Sequence, residues 1–225
     1  DWGLRITLLI ALPAMLALLL LAEPLVATFF QNGRFTATDA RMAAMSVLAL
    51  SAGLPAYALV KVLLPAFYSR QDTRTPVRAG VVALVANMVF NGLFIALLYQ
   101  LWATPAQLAG SWIAGIAQVR GLHVGLAIAS SLSSYVNFLL LWRWLKRDGV
   151  YRRAPGWSRH WLRLGVACTA MVAVLVAGRW LWPDWSDARV SDRVWHLMVL
   201  VIAGGGTYVA ALFALGFRVR DLRGN

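Results

Sequence analysis

Long apolar runs without charged residues, except near their ends, recur six times along the chain. A helix of about 20 apolar residues crosses a bilayer core of roughly 30 Å. The pattern therefore predicts membrane-spanning helices at residues 6–25, 42–64, 77–99, 122–145, 161–181 and 194–215. A soluble protein can also bury apolar helices, but six such runs in 225 residues leave too little polar chain to cover them. The expected fold class is all-α, a polytopic transmembrane helix bundle with six spans.

The charges add an orientation to this picture. The chain carries 21 Lys+Arg and 9 Asp+Glu, which gives a formal net charge of +12, and 60% of its residues are hydrophobic. If the connections alternate sides, one side collects most of the basic residues, from residues 69–78, 143–163 and 218–225. The positive-inside rule makes that side cytoplasmic and places both ends of the chain there. The basic excess then reports orientation, so we expect anionic lipid headgroups as neighbours and no nucleic-acid partner.

The residues needed for intramembrane catalysis are not in place. The three His lie at the ends of predicted spans, and no Asp lies inside one. The single Cys168 excludes an intrachain disulfide and a multi-thiolate metal site. No Gly-rich phosphate loop precedes a basic residue. The sequence therefore predicts that the protein is not an enzyme. Because the chain begins at Asp1, without Met or a signal segment, we also expect a fragment.

A long connection, residues 100–121, follows the third span on the predicted outer side. Residues 104–107 read Thr-Pro-Ala-Gln, which has the form of a capping box with Pro at the first helical position. Apolar residues then follow at helical spacing. The pattern predicts a short interfacial helix at about residues 104–118, lying on the outer membrane surface.

Uncharged polar side chains stand inside the third and fourth spans. Asn87 and Asn91 are four residues apart and share a helical face, and the fourth span carries Ser130 among other polar residues. Such residues join helices in lipid, at about 1 kcal/mol for each bonded pair. The alternative is that they line a polar cavity or an ion site. Lys61, near the end of the second span, either extends to the lipid headgroups or points into such a cavity.

Four segments together resemble the MurJ (MviN) family of lipid II flippases. They are residues 30–40, 53–57, 60–62 and above all 66–77. The last segment contains a polar signature, which we expect to form a cytoplasmic loop: Tyr68, Arg70, Gln71, Asp72, Thr73, Arg74, Thr75 and Pro76. The resemblance covers the whole chain. It implies helices nine to fourteen of a fourteen-helix, two-lobe transporter of the MOP superfamily, without the N-terminal half.

The resemblance implies a division of labour within the chain. Residues 1–147 would supply four helices that complete the second lobe. Residues 148–225 would supply two helices that form a groove for the lipid tail, followed by a short cytoplasmic tail. The implied location is the bacterial cytoplasmic (inner) membrane, as a multi-pass protein.

The implied activity is lipid II flipping, the transfer of undecaprenyl-diphosphate-linked peptidoglycan precursor from the cytoplasmic to the outer leaflet by alternating access. The implied partners are lipid II, membrane lipids and the cell-wall synthesis machinery. Two alternatives remain open. One is a related MOP-superfamily exporter of other polyprenyl-linked saccharides, and the other is a membrane scaffold that transports nothing.

The candidate cavity residues are Lys61, Asn87, Asn91 and Ser130. Some family members are thought to bind sodium between their seventh, eleventh and twelfth helices. The resemblance therefore implies a sodium ion at Asn87, Asn91, Ser130 and the backbone of Leu126, and no other cofactor. Asn91 stands where an aspartate would bring a charge, and hard cations prefer charged oxygen ligands.

Overall fold

The computed structural model describes residues 1–31, 35–104, 116, 118–119, 121–151, 155–183, 185 and 188–217. Within these residues the long elements are six α-helices: α1 (Trp2–Phe30), α2 (Ala37–Tyr68), α3 (Arg74–Trp102), α4 (His123–Arg147), α5 (Trp157–Leu181) and α6 (Val190–Ala214). Each is long and apolar enough to cross a membrane. The six predicted spans and the all-α class are thus confirmed. The predicted outer helix at about 104–118 lies almost wholly outside the described residues.

Most helix ends lie past the ends of the predicted spans, because a helix continues through the polar interface. Helix α1 has 29 residues, which is about 43 Å and more than the hydrocarbon core alone requires. The start of α2 shows how a local signal fixes a helix end. Thr36 Oγ1 accepts a hydrogen bond from the Asp39 N–H, and Asp39 Oδ2 accepts one from the Thr36 N–H. This reciprocal cap satisfies two backbone donors.

The first of two compact units contains residues 1–44 and 145–225. In it α1, α5 and α6 pack against one another. Helices α5 and α6 meet through glycines that face leucines: Gly178 lies against Leu200, and Gly204 lies against Leu175. Small residues of this kind let two helix backbones approach closely in a membrane.

The second unit contains residues 45–144, which hold most of α2, the whole of α3 and most of α4. Phe67 and Leu141 are fully buried in the chain. Gly53 of α2 lies against Ser131 of α4. Helix α3 is the least buried of the six candidate spans, and its apolar side chains are mostly exposed.

The two units group α1 with α5 and α6. The predicted division was different, with residues 1–147 in one part and 148–225 in the other. That division concerns the lobes of a whole transporter, and it stays a prediction.

Candidate functional site

A cavity of about 560 Å³ lies among α2, α3 and α4 in the second unit. Twelve described residues line it: Tyr57, Val60, Lys61, Leu64, Gly80, Ala83, Leu84, Asn87, Ser130, Ser133, Ser134 and Asn137. Lys61 is the one charged side chain in this set. The remaining polar groups are uncharged amides and hydroxyls. The cavity therefore offers hydrogen bonds and one positive charge inside a bundle of apolar helices.

Asn87 is the centre of the hydrogen bonds at this cavity. Its Nδ2 donates to Ser133 Oγ at 3.3 Å and to Ser130 Oγ at 3.5 Å. Its Oδ1 accepts a hydrogen bond from Asn91 Nδ2 at 3.1 Å. The spacing of four residues on α3 and of three on α4 makes this meeting possible, because such positions share a helical face. Asn91 Oδ1 is buried and has no hydrogen-bond partner.

A second set of hydrogen bonds joins α2 to α4 through backbone carbonyls. Tyr57 donates to the Ser130 carbonyl at 2.9 Å, and Tyr135 donates to the Ala52 carbonyl at 2.8 Å. Ser131 Oγ donates to the Ala49 carbonyl. These bonds hold helices together, which is the structural interpretation of intramembrane polar residues. Ser131 and Tyr135 thus bond to α2 without lining the cavity, whereas Ser130 takes part both in these bonds and in the cavity wall.

The signature segment forms the tight connection between α2 and α3. The Gln71 N–H donates to the Tyr68 carbonyl, and the Asp72 N–H donates to the Phe67 carbonyl. Gln71 has a φ of 57°, in the left-handed region. Together these features make a Schellman motif, which normally has glycine at this position. The connection therefore closes α2 without a loose loop.

Asp72 links this helix end to the start of α3. Its Oδ1 accepts the Thr75 N–H at 3.0 Å, as a helix-capping side chain does. Hydrogen bonds from the Thr75 hydroxyl and N–H hold the pKa of the Asp72 carboxyl below its ordinary value, and Arg70 lowers it further. The carboxylate is thus charged at neutral pH. Its contribution to stability is present above the ordinary pKa and is lost as the pH falls through the lowered one.

Comparison with known proteins shows to which family the chain belongs. The family model described as "Lipid II flippase MurJ" matches residues 1–186. The chain belongs to the MurJ family of lipid II flippases. A Vibrio cholerae protein named "Probable lipid II flippase MurJ" is 37% identical over 99% of the chain. A Haemophilus influenzae protein of the same name is 33% identical, and the Burkholderia cenocepacia "Lipid II flippase MurJ" is 31% identical, each over 99% of the chain.

The chain spans only 38–39% of the length of these three MurJ relatives. The MurJ match includes all three helices that form the cavity. It also confirms the family to which the signature segment pointed. Membership in this family, together with six apolar helices, makes the chain part of a multi-pass membrane protein.

The structure brings together most of the candidate residues in this MurJ chain. Lys61, Asn87 and Ser130 line the cavity, and Asn91 is bonded to Asn87 from the adjacent turn. Leu126 is not among the residues that line the cavity, and only its backbone carbonyl could serve as a ligand, because its side chain has no oxygen or nitrogen. What these residues bind in a MurJ protein stays a prediction.

Four polar residues of the cavity wall were not among the candidates: Tyr57, Ser133, Ser134 and Asn137. Tyr57 lies one turn before Lys61 on α2, and Asn137 lies two turns after Ser130 on α4. Their helical spacing from the candidates Lys61 and Ser130 could have indicated that they share a face with them. The Asn137 Oδ1 atom is buried and has no hydrogen-bond partner.

Proposed function

We propose that this chain is part of a lipid II flippase, a transporter and not an enzyme. Its substrate is undecaprenyl-diphosphate-linked peptidoglycan precursor, which it moves from the cytoplasmic to the outer leaflet by alternating access. The cavity among α2, α3 and α4 carries the proposal, because membership of the MurJ family coincides there with a polar wall inside apolar helices. A charged, sugar-bearing headgroup needs such a wall, since unpaired polar groups are costly in hydrocarbon.

Complementation tests this function. The complete protein that contains this chain should restore growth to bacteria depleted of their own flippase. Failure of rescue, with normal insertion into the membrane, would sink the assignment. A related exporter of other polyprenyl-linked saccharides would be inserted but would not rescue.

The cell-wall synthesis machinery is a further partner that we propose, and co-purification of the complete protein with its enzymes would check it.

The Asn91→Leu variant distinguishes a carrier from a scaffold. Asn91 makes one side-chain hydrogen bond to Asn87 of the same helix, so its replacement should cost only about 1 kcal/mol of stability. A carrier should then assemble normally yet lose transport, because Asn87, which lines the cavity, loses the side chain that orients its amide. We expect normal membrane levels and little or no rescue in the complementation assay. Full rescue would show that Asn91 has no part in transport and only helps to pack helices, the role that a scaffold would give to all of these residues.

A sodium ion at the Asn87–Asn91 face is a second proposal for the same site. The donor set fits a monovalent cation, since it offers hydroxyl and amide oxygens, including the buried and unpartnered Asn91 Oδ1. Asn87, Asn91, Ser130 and the Leu126 carbonyl would hold the ion, which would bring positive charge to the cavity. Because these ligands are neutral, we expect weak binding.

The Asn91→Asp variant tests the sodium site. A carboxylate should strengthen binding, so the complete protein should gain a sodium-dependent rise in its unfolding midpoint that exceeds the rise in the original protein. Potassium at equal ionic strength is the control. Equal midpoints in sodium and potassium, for both proteins, would exclude the site.

The orientation that we propose places the signature segment and the start of α5 in the cytoplasm. Cysteines introduced at Ser69 and Ser158 should react with a membrane-impermeant maleimide only after the cells are opened. The native Cys168 is buried, which keeps the background low. Labelling of either position in intact cells would overturn the orientation.

A further inference from the structure

Two prolines interrupt α1, and each frees one backbone carbonyl. Pro13 and Pro24 lie inside this helix and lack the N–H that would bond to the residue four positions earlier. The freed carbonyls belong to Leu9 and Leu20. Hydrocarbon offers no water to replace the missing donors, so neighbouring side chains have to satisfy these groups.

Both freed carbonyls accept a hydrogen bond from a side chain of another helix. The Tyr208 hydroxyl of α6 donates to the Leu9 carbonyl at 2.6 Å. The Arg179 Nη1 of α5 donates to the Leu20 carbonyl at 2.8 Å. The two carbonyls that the prolines leave without a donor are thus the two that these side chains reach.

A third long-range contact to α1 is of a different kind. Arg193 of α6 is buried and donates to the carbonyls of Ala27 and Gln31 at the C-terminal end of α1. The Ala27 carbonyl also accepts the Gln31 N–H, and the Gln31 carbonyl lies past the last helical residue, so neither carbonyl is freed by a proline. Arg193 therefore caps the end of α1. Tyr208 and Arg179 instead bond to carbonyls inside α1, each of which lies four residues before a proline.

We propose that Tyr208 and Arg179 are positioning residues that replace the backbone donors lost at Pro13 and Pro24. Each fixes the bend at its proline and fastens α1 to the C-terminal helix pair. The three helices of the first unit are held as one body by these pairings in addition to apolar packing. This role is independent of the proposed substrate, and it requires a specific dependence of each side chain on its proline.

Double-mutant cycles on the complete protein in detergent test that dependence. Tyr208→Phe should lower the unfolding midpoint by roughly 1 °C, the shift expected for one lost hydrogen bond in a protein more than twice the length of this chain. In a Pro13→Ala background, which restores the backbone donor, the same change should lower it by less than half as much. Likewise, the fall in the unfolding midpoint caused by Arg179→Met should be less than half as large in a Pro24→Ala background. Equal losses with and without the proline would overturn the proposal.

The crossed pairs are the matched control. Tyr208→Phe should keep its full effect in the Pro24→Ala background, and Arg179→Met should keep its full effect in the Pro13→Ala background, because the pairs are distant in α1. Arg179 also pairs with Glu23 at 3.2 Å. Glu23→Gln removes that charge pair but should leave the coupling between Arg179 and Pro24 intact. Loss of the coupling in Glu23→Gln would assign Arg179 to the ion pair instead.

An infrared measurement reads the bond itself and does not depend on stability. With ¹³C=¹⁸O placed at Leu9, the carbonyl band should move to higher frequency in Tyr208→Phe and stay unchanged in Arg179→Met. With the label at Leu20, the band should move to higher frequency in Arg179→Met and stay unchanged in Tyr208→Phe. If Arg179→Met does not fold, Arg179→Gln keeps an N–H donor without the charge and should leave the Leu20 band near its original position. A Leu9 band that does not respond to Tyr208→Phe would overturn the pairing.

Discussion

Replacing Gly53 with alanine should force α2 away from α4 and destabilise the second unit by about 1–3 kcal/mol. A Cβ at this position would lie 2.8 Å from Ser131 Cα, 2.7 Å from Ser131 Oγ and 2.9 Å from Tyr57 Cε2. A side-chain tip can rotate away from such a contact, but a backbone Cα cannot. The helices must separate, and the hydrogen bond from Ser131 to the Ala49 carbonyl must weaken.

The loss should appear both in stability and in transport. The unfolding midpoint of the complete protein in detergent should fall, and flipping should fall with it because Tyr57 and Ser134 belong to the cavity wall. Gly92→Ala is the matched control. Apart from the backbone of α3 itself, no heavy atom of the described residues lies within 4 Å of a Cβ placed there, and alanine is favoured over glycine in a helix by about 1 kcal/mol. Equal losses in the two variants would show that Gly53 has no special role.

The close approach of α4 to Gly53 could not be predicted from the sequence, whereas the six spans could. Apolar run length is a local property, so all six spans could be read directly from the chain. The capping role of Asp72 is also local. Which residue of α4 faces Gly53 depends on how two helices rotate about their axes, and that rotation is set by packing between residues distant in sequence.

The polar residues of the third and fourth spans show the same limit. A spacing of four predicts that Asn87 and Asn91 share a face, because the helical period alone decides it. The helical period alone does not predict that Ser133 bonds to Asn87 while Ser131 bonds to α2. Cavity lining and helix packing were the two alternatives for these residues. In the structure Ser133 lines the cavity, Ser131 bonds to α2, and Ser134 does both.

Proline partners were not predictable either. The freed carbonyls of Leu9 and Leu20 follow from the positions of Pro13 and Pro24 alone. Their donors lie more than 150 residues later, at Arg179 and Tyr208. Only the packing of α1 against α5 and α6 brings them together.

Replacing Lys61 with methionine should lower flipping by roughly tenfold or more while leaving the fold intact. Lys61 is exposed and lines the cavity, so methionine removes the ammonium without opening a hole in a packed core. A hydrogen bond between charged partners contributes about 1.5–3 kcal/mol, which corresponds to at least tenfold in binding. The diphosphate of the proposed substrate is the anion that this ammonium would meet. Lys61→Arg, which keeps the charge, should retain most of the activity.

Lys146→Met is the control, because Lys146 is the other lysine of the chain, is exposed near the end of α4 and is not among the residues that line the cavity. A lysine that only extends to the lipid headgroups should behave like Lys146. Flipping by the two methionine variants in proteoliposomes at equal protein content therefore decides between the two interpretations that the sequence left open. Equal activity would assign Lys61 to the headgroups. A loss confined to Lys61→Met, with rescue by arginine, requires an anion in the cavity, because neither packing nor general basicity distinguishes these variants.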